Sequence, residues 1–200
     1  YEAALNSNLF DSIYVTTDST KIQKTVESFG AKCIMSSKLN RNGTERCAEL
    51  IKSLHDISAD DLIVNIQCDE PFLKPKHFQK IISLFKKNIE IGTLICPLND
   101  IEKNDNSVVK VKINKQNTAL KFQRSITTNC QLYKHIGIYA YKKNTLEKLG
   151  KLPIIKQEIT ESLEQIRWLF YNYKIHCGLI KDNLTSINTY SDIKKVIKIN

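Results

Sequence analysis

Apolar runs of strand length alternate with longer amphipathic segments in the first half of the chain, and this alternation constrains the fold most. Strands are predicted at residues 12–17, 32–35 and 62–66, and helices at residues 20–29, 44–54 and 76–85. In the first helical segment the apolar side chains Ile22, Val26 and Phe29 recur at helical spacing. A β-α-β-α-β-α order is typical of a parallel sheet that is covered by helices on both faces. The chain is therefore predicted to be an α/β sandwich.

The middle of the chain departs from this rhythm. Residues 108–113 and 119–123 alternate polar and apolar side chains around a polar turn, which predicts an antiparallel pair of strands. Further strands are predicted at residues 136–141 and 174–180, with helices at residues 158–170 and 190–197. No internal repeat or low-complexity linker is visible. Residues 1–200 are therefore interpreted as a single domain with an inserted antiparallel strand excursion.

Charge and hydropathy narrow the classes of function. The formal net charge is +9, but the excess is mainly lysine spread along the chain, without the arginine stripe and interleaved aromatics of single-strand binders. Solvated helix faces are the favoured interpretation, with a positive field that would help to bind an anionic nucleotide. Nucleic-acid binding stays an alternative and would show a steep salt dependence. No run approaches the roughly 18 apolar residues of a membrane span, so a cytoplasmic protein without a membrane partner is expected.

The six cysteines are scattered, without a CxxC pair or a nearby cluster of cysteine and histidine. This spacing does not favour a zinc site or a disulfide framework. Reduced and mostly buried thiols of a cytosolic protein are the favoured interpretation.

An acidic turn, Gln67-Cys68-Asp69-Glu70-Pro71, follows the strand predicted at residues 62–66. A carboxylate at the carboxyl end of a parallel strand lies where open α/β sheets bind their ligands. Its oxygens suit Mg²⁺, which takes one or two carboxylates together with phosphate oxygens. An ordinary turn is the competing interpretation, because Asp and Pro favour turns. On these residues alone the two interpretations stay open.

A second polar segment, Asn42-Gly43-Thr44-Glu45-Arg46, leads into the helix predicted at residues 44–54. Gly43 permits close approach of a ligand to the backbone, and Thr44 is expected to cap the helix. Arg46 adds a fixed, forked donor. A plain helix cap with a surface ion pair explains these residues better when they are taken alone, and Asp18 at the end of the first strand is similarly ambiguous.

Cationic and polar side chains in the second half of the chain could meet an acidic sugar. Arg124 and His135 could bind its carboxylate, whereas Glu164 and Gln165 could bind its hydroxyls. A lone histidine is more often structural, and Glu161 and Glu164 would share a helix face, which usually points to solvent. Periodicity does not show whether His135 and this helix meet.

Six blocks in order carry a resemblance to a known family. They are MSSKLNRNGTER (35–46), VNIQCDEP (64–71), VVKV (108–111), FQRS (122–125), YKHIGIYAY (133–141) and ESLEQIR (161–167). Together they resemble the 3-deoxy-manno-octulosonate cytidylyltransferases over nearly all of the chain. The resemblance implies a Rossmann-like nucleotidyltransferase sandwich of class α/β, with a mostly parallel sheet.

The resemblance also implies a reaction. CMP is transferred from CTP to the anomeric hydroxyl of 3-deoxy-manno-octulosonate, which gives pyrophosphate and a CMP-sugar for lipopolysaccharide biosynthesis. Such a transfer depends on positioning and charge neutralisation more than on covalent chemistry. A Mg²⁺ cofactor and a homodimer that forms through the inserted strands are implied as well, with no nucleic-acid or membrane partner.

The resemblance assigns roles to particular residues. Asp69 is the implied catalytic and metal-binding residue, and Asn188 occupies the other metal position. The implied nucleotide-binding residues are Asp18, Asn42, Gly43, Thr44, Arg46 and Gln67. The implied sugar-acid-binding residues are Arg124, His135, Tyr139, Glu164 and Gln165.

Two departures from the family pattern bear on activity. The family opens with a strand and a phosphate-binding loop, and nothing of that kind precedes Tyr1, which implies a missing first strand and an inactive fragment at this extent. The family's second metal ligand is an aspartate, whereas Asn188 offers a neutral oxygen, which lowers the expected metal affinity. A sister cytidylyltransferase for another sugar acid and an inactive nucleotide-binding relative therefore stay open.

Overall fold

A computed structural model describes residues 1–86, 88–126 and 130–197, without the side chains of residues 191 and 195. The strands are β1 (Val15–Thr17), β2 (Cys33–Met35), β3 (Leu62–Ile66), β4 (Ile91–Pro97), β5 (Lys110–Ile113), β6 (Ala119–Gln123), β7 (Tyr133–Lys142) and β8 (Ile175–Leu179). The helices are α1 (Glu2–Leu5), α2 (Thr20–Ser28), α3 (Gly43–Leu50), α4 (Pro75–Leu84), α5 (Asp100–Lys103), α6 (Lys143–Leu149), α7 (Lys156–Glu161), α8 (Gln165–Phe170) and α9 (Tyr190–Ile197). No helix within these ranges is long and apolar enough to cross a membrane.

The strands form a two-stranded and a six-stranded sheet. β1 pairs with β2 in parallel. In the larger sheet β7 pairs antiparallel with β4, and also with β5 near its start and with β3 towards its end. β8 continues the sheet in parallel with β4, and the predicted β5–β6 hairpin is confirmed. β3, β4 and β8 therefore run in one direction, with the antiparallel β7 between β3 and β4.

Helices cover both faces of the larger sheet, as predicted. Successive side chains of a strand point to opposite faces, so β7 contributes to two hydrophobic cores. Tyr139 and Tyr141 pack in the core that includes side chains of α3, α6 and α8. Ile138 and Ala140 pack in the core that includes side chains of α1 and α4. The predicted α/β class is confirmed.

The single helix predicted at residues 158–170 is wrong. Ser162 has a left-handed backbone, with φ of 52° and ψ of 48°, and it separates α7 from α8. The N–H of Leu163 bonds back to the carbonyl of Glu158 at 3.2 Å, as at many helix C-termini. Glu161 and Glu164 consequently do not share a helix face, and Glu164 is buried rather than solvated.

The predicted cap of α3 is also wrong. Asn42, not Thr44, is the N-cap, because its side-chain oxygen accepts a hydrogen bond from the N–H of Glu45 at 2.9 Å. Thr44 lies inside the first turn and is fully buried. The thiols are less buried than expected, since Cys96 and Cys177 are buried whereas Cys68 is exposed.

Candidate active site

A cleft of about 2050 Å³ opens beside β3 and the start of α3. It brings together most of the residues that the sequence singled out. Those in its wall are Asn42, Gly43, Arg46, Gln67, Asp69, Arg124, His135, Tyr139, Glu164, Gln165 and Asn188. Of the described candidates, Asp18 and Thr44 do not belong to this wall.

Asp69 lies in the turn after β3, at the carboxyl end of the strand. Its Oδ1 atom is buried and has no hydrogen-bond partner among the described residues, and burial raises the pKa of its carboxyl. The N–H of Ile187 donates to the main-chain carbonyl of Asp69 at 2.8 Å. This bond brings the segment of the neighbouring Asn188 to the acidic turn, and both residues line the cleft.

The donor set around Asp69 fits a hard cation. An orphaned, partly buried carboxylate oxygen is stabilised when it meets a positive charge. Asn188 adds a neutral amide oxygen to the same wall. Across the residues that the structure describes, no three His, Cys, Asp or Glu side chains cluster in a way that could hold a metal ion. A cation here would therefore depend on one carboxylate, an amide oxygen and oxygens of a bound phosphate or water.

Glu70 anchors the acidic turn, a role that sequence reasoning missed. Its Oε1 atom accepts hydrogen bonds from the N–H of Gly137 at 2.8 Å and from the hydroxyl of Ser186 at 2.7 Å. The side chain is buried, and burial raises the pKa of its carboxyl. Glu70 thus joins the turn to β7 and to the segment before Asn188.

The N-terminus of α3 packs closely against β3. A Cβ atom at Gly43 would lie 3.0 Å from Nδ2 of Asn65, which is tighter than most side-chain contacts. Asn65 is buried in the cleft wall, and its Nδ2 finds no hydrogen-bond partner in the described part of the chain. Sequence reasoning missed Asn65, although a polar residue inside the apolar run Leu62–Ile66 was a signal for it.

Arg46 ties this loop to the smaller sheet. Its Nη2 atom lies 3.5 Å from Oδ2 of Asp18, and its Nη1 donates to the hydroxyl of Ser36. Asp18 follows β1 and Ser36 follows β2, so Arg46 connects both strand ends to α3. Thr44 lies beneath the cleft, where its hydroxyl is 3.0 Å from that of Tyr141. Asp18 and Thr44 therefore lie outside the cleft wall but contact the side chains that hold it in place.

His135 is a buried, neutral side chain of β7. Burial lowers its pKa to about 3, and its ring packs against Phe122 and Tyr139. Its Nε2 lies 3.0 Å from the hydroxyl of Thr93, which donates its own proton to the carbonyl of Ile138 at 2.7 Å. Nε2 therefore carries the proton and donates to Thr93. His135 offers a ligand hydrogen bonding or packing, not positive charge.

Arg124 lines the cleft, but much of its guanidinium is occupied. Nε donates to the carbonyl of Glu161 at 2.9 Å, and Nη1 donates to the carbonyls of Asn106 and Ser107 at 3.1 and 3.2 Å. Nη2 is the least engaged nitrogen, at 3.5 Å from the carbonyl of Ser162. Arg124 therefore fixes the end of α7 and supplies a positive charge at the wall.

Glu164 and Gln165 stand at the start of α8 and are both buried. Burial raises the pKa of Glu164 to about 7, while the Thr44 hydroxyl and the Arg167 guanidinium oppose the rise. The Oε2 atom of Glu164 has no hydrogen-bond partner among the described residues. At neutral pH this carboxyl is close to half protonated, so it can donate as well as accept a hydrogen bond.

Helices on both faces of a mixed sheet, with an acidic turn at the carboxyl end of β3, define an α/β sandwich of the nucleotidyltransferase class. The sequence model of the family described as "Cytidylyltransferase" matches residues 1–175. The chain belongs to this cytidylyltransferase family.

Curated relatives and a solved structure agree with this assignment. The chain is 36% identical to a 3-deoxy-manno-octulosonate cytidylyltransferase of Parabacteroides distasonis, over 95% of this chain and 82% of the relative. It is 37% identical to an 8-amino-3,8-dideoxy-manno-octulosonate cytidylyltransferase of Shewanella frigidimarina, over 98% of this chain and 83% of the relative. A structure of a CMP:2-keto-3-deoxy-manno-octonic acid synthetase complexed with CTP matches with a TM-score of 0.87 at 29% identity, over 100% of this chain and 84% of that chain. The resemblance and the fold class predicted from the sequence are confirmed.

Proposed function

We propose that the protein transfers CMP from CTP to the anomeric hydroxyl of 3-deoxy-manno-octulosonate and releases pyrophosphate. The observation that carries the proposal is one cleft whose wall holds both Asp69 with the loop at Asn42 and the polar residues His135, Glu164 and Gln165. An in-line attack on the α-phosphorus needs two substrates held side by side, and this one wall carries candidate residues for each of them. The names of the curated relatives support the choice of substrates.

The nucleotide end of the proposed site is built from the start of α3 and the acidic turn. Gly43 and Arg46 both lie in the cleft wall, and Gly43 packs against Asn65 of β3. Asp69 and Asn188 would hold Mg²⁺, which supplies neutralisation of phosphate charge when it is bound. The orphaned Oδ1 of Asp69 supports this part of the proposal.

The sugar-acid end is proposed to bind mainly through neutral hydrogen-bonding groups. His135 is uncharged, Gln165 is neutral, and Glu164 is close to half protonated at neutral pH. A protonated Glu164 does not repel the carboxylate of the sugar acid, whereas an ionised Glu164 would. Arg124 supplies a positive charge at the cleft wall, with Nη2 as its least engaged nitrogen.

Release of pyrophosphate by the purified full-length protein tests the function. The assay contains CTP, Mg²⁺ and 3-deoxy-manno-octulosonate, with ATP, GTP and UTP as controls. Sugar-dependent release with CTP supports the proposal. Nucleotide binding without any release would instead support a non-catalytic relative.

A second candidate substrate is 8-amino-3,8-dideoxy-manno-octulosonate. A relative named for this sugar and a relative named for 3-deoxy-manno-octulosonate are about equally similar to this chain. The two sugars differ in a cationic amino group at one end. Comparing kcat/KM for both in the same assay decides between them. Acylneuraminates serve as a third arm, since a sister enzyme for those sugar acids would prefer them.

The proposal also covers the oligomeric state of the protein and its cellular location. We expect a cytoplasmic homodimer that acts in lipopolysaccharide biosynthesis. Leu120 on β6, a strand at the edge of the larger sheet, is 53% exposed and offers an apolar contact to a second copy. Light scattering of the purified protein, compared with Leu120→Lys, tests the dimer.

A further inference from the structure

Arg167 is a fully buried cation on α8 that lies behind the cleft wall. Its Nη2 is 3.4 Å from Oε1 of Glu45, and its Nε is 3.3 Å from Oε2 of Glu158. Its Nη1 donates to the carbonyl of Leu152 at 3.1 Å. One guanidinium therefore joins α8 to α3, to α7 and to the segment after α6.

Glu45 connects this guanidinium to the loop at the nucleotide end. The carboxylate of Glu45 accepts hydrogen bonds from the main-chain N–H and from the Nε of Arg41, both at 3.1 Å. The N–H of Glu45 is itself capped by Asn42. Arg41 and Asn42 therefore hold Glu45 by hydrogen bonds, and Glu45 in turn contacts Arg167.

Arg167 also lies close in sequence to the sugar-acid end. Glu164 and Gln165 stand at the start of its own helix, and α8 has only six residues. The nearby carboxylates of Glu45, Glu158 and Glu164 are all buried or nearly so. Neither Nε of Arg167 nor Oε2 of Glu158 has a hydrogen-bond partner among the described residues, so their contact is an ion pair without hydrogen-bond geometry. The directional bonds of the guanidinium run from Nη1 to Leu152 and from Nη2 to Glu45, a fork that a flexible ammonium group does not reproduce.

We propose that Arg167 is a positioning residue that couples the nucleotide end of the cleft to its sugar-acid end through Glu45. This coupling rests on the proposed function only in taking the sugar acid as the ligand that binds beside CTP. Arg167 is absent from the cleft wall, so it acts through Glu45 and α8 rather than by contact with substrate. Because coupling free energies are reciprocal, CTP should tighten the binding of the sugar acid by the factor by which the sugar acid tightens CTP.

Trp168 provides a readout that does not need the sugar acid. It is the one tryptophan of the sequence, it follows Arg167, and it is fully buried. Its ring packs edge-on against Tyr139 at 5.1 Å and Tyr141 at 5.8 Å. A shift of α8 should therefore change its fluorescence, although Trp168 does not line the cleft.

The experiment titrates CTP into the full-length protein and follows Trp168 emission, with calorimetry as a separate measure of binding. In the wild type, CTP should change the emission in proportion to occupancy. In Glu45→Gln, CTP should still bind, but the emission change at saturation should fall to half or less. The matched control is Glu147→Gln, which removes a partly exposed charge that pairs with Lys143 at 3.7 Å. The control should keep the full change.

Arg167→Lys provides the second arm, because it keeps the buried charge but loses the fork. The ratio of sugar-acid Kd values without and with CTP should fall by about fivefold or more relative to the wild type. An unchanged ratio, or an equal Trp168 response in Glu45→Gln and wild type, would overturn the proposal. Absence of pyrophosphate release by the wild type would refute the proposed function alone, since the Trp168 titration needs only CTP. Calorimetric CTP binding without any Trp168 response in the wild type would also overturn the coupling.

Discussion

The main-chain N–H of Gly137 donates to Oε1 of Glu70 at 2.8 Å, and this bond fixes the acidic turn after β3 onto the middle of β7. A side chain at this position would press on two residues of the acidic turn. A Cβ at residue 137 would lie 2.5 Å from Oε1 of Gln67 and 3.0 Å from Cγ of Glu70. The ladder between β4 and β7 also shifts register next to this glycine. The geometry of Asp69 therefore depends on a residue that carries no functional group.

Gly137→Ala should displace Gln67 and Glu70, and with them the turn that holds Asp69. We expect kcat/KM for CTP to fall at least about tenfold, with an unfolding free energy lower by about 1–3 kcal/mol, as is usual for overpacking. Gly178→Ala is the control, because its added Cβ would meet Leu94 and Lys80 rather than the acidic turn. A loss of stability of the same size in both variants, with equal losses of activity, would contradict a specific role for Gly137.

Asp69→Asn should lower turnover at least about a hundredfold while the protein stays folded. The substitution keeps the shape of the side chain but removes its negative charge. The Oδ1 atom that carries part of this charge has no hydrogen-bond partner among the described residues. Neutralisation of phosphate charge is commonly worth this much in catalysis. Turnover is measured against Mg²⁺ concentration, and circular dichroism verifies the fold. Near-normal activity at low Mg²⁺ would show that Asp69 is a turn residue only.

Asn188→Asp should shift the Mg²⁺ activation curve to lower concentration. The bond from the N–H of Ile187 to the carbonyl of Asp69 brings the segment of residue 188 next to the acidic turn. A second carboxylate there should raise the affinity for a hard cation and leave the sugar-acid KM at saturating metal nearly unchanged. An unmoved curve would mean that residue 188 serves only the start of α9, where Asn and Asp are close to interchangeable.

Much of the fold could be predicted because strand-length apolar runs and helical periodicity are local signals. β3 was predicted with its observed bounds, and α2, α4 and the β5–β6 hairpin were predicted to within a few residues. β4 was missed, because a strand buried on both faces shows no alternation of polar and apolar residues. α6 begins directly where β7 ends, so no polar loop marked it.

The candidate site could be predicted only in part, because several of its features depend on contacts between distant segments. The resemblance selected residues that the structure does bring into one cleft, such as Asp69 and His135. No periodicity revealed that Glu70 would bind Gly137 and Ser186, or that Arg167 would be buried between two carboxylates. The break at Ser162 also decided that Glu164 would be buried, and the helical pattern continued across that break.

The buried carboxyl of Glu164 should make the stability of the protein depend on pH with a specific sign. Burial raises its pKa from 4.5 to about 7, so between these values the native state binds more protons than the unfolded state. The free energy of unfolding therefore falls as pH rises through this window, by up to about 3 kcal/mol at 1.36 kcal/mol per pKa unit. Glu164→Gln removes the titration. The variant should match the wild type near pH 4 and be the more stable protein above pH 7.

Urea unfolding of wild type and Glu164→Gln at a series of pH values measures this effect, and the difference between them isolates Glu164. His135 has the opposite sign, because its lowered pKa makes stability rise with pH between about 3 and 6.5, but it is present in both proteins and cancels. If the difference between Glu164→Gln and wild type stays flat from pH 4 to pH 8, the pKa of Glu164 is the same in the native and unfolded states, and its partners Thr44 and Arg167 offset its burial.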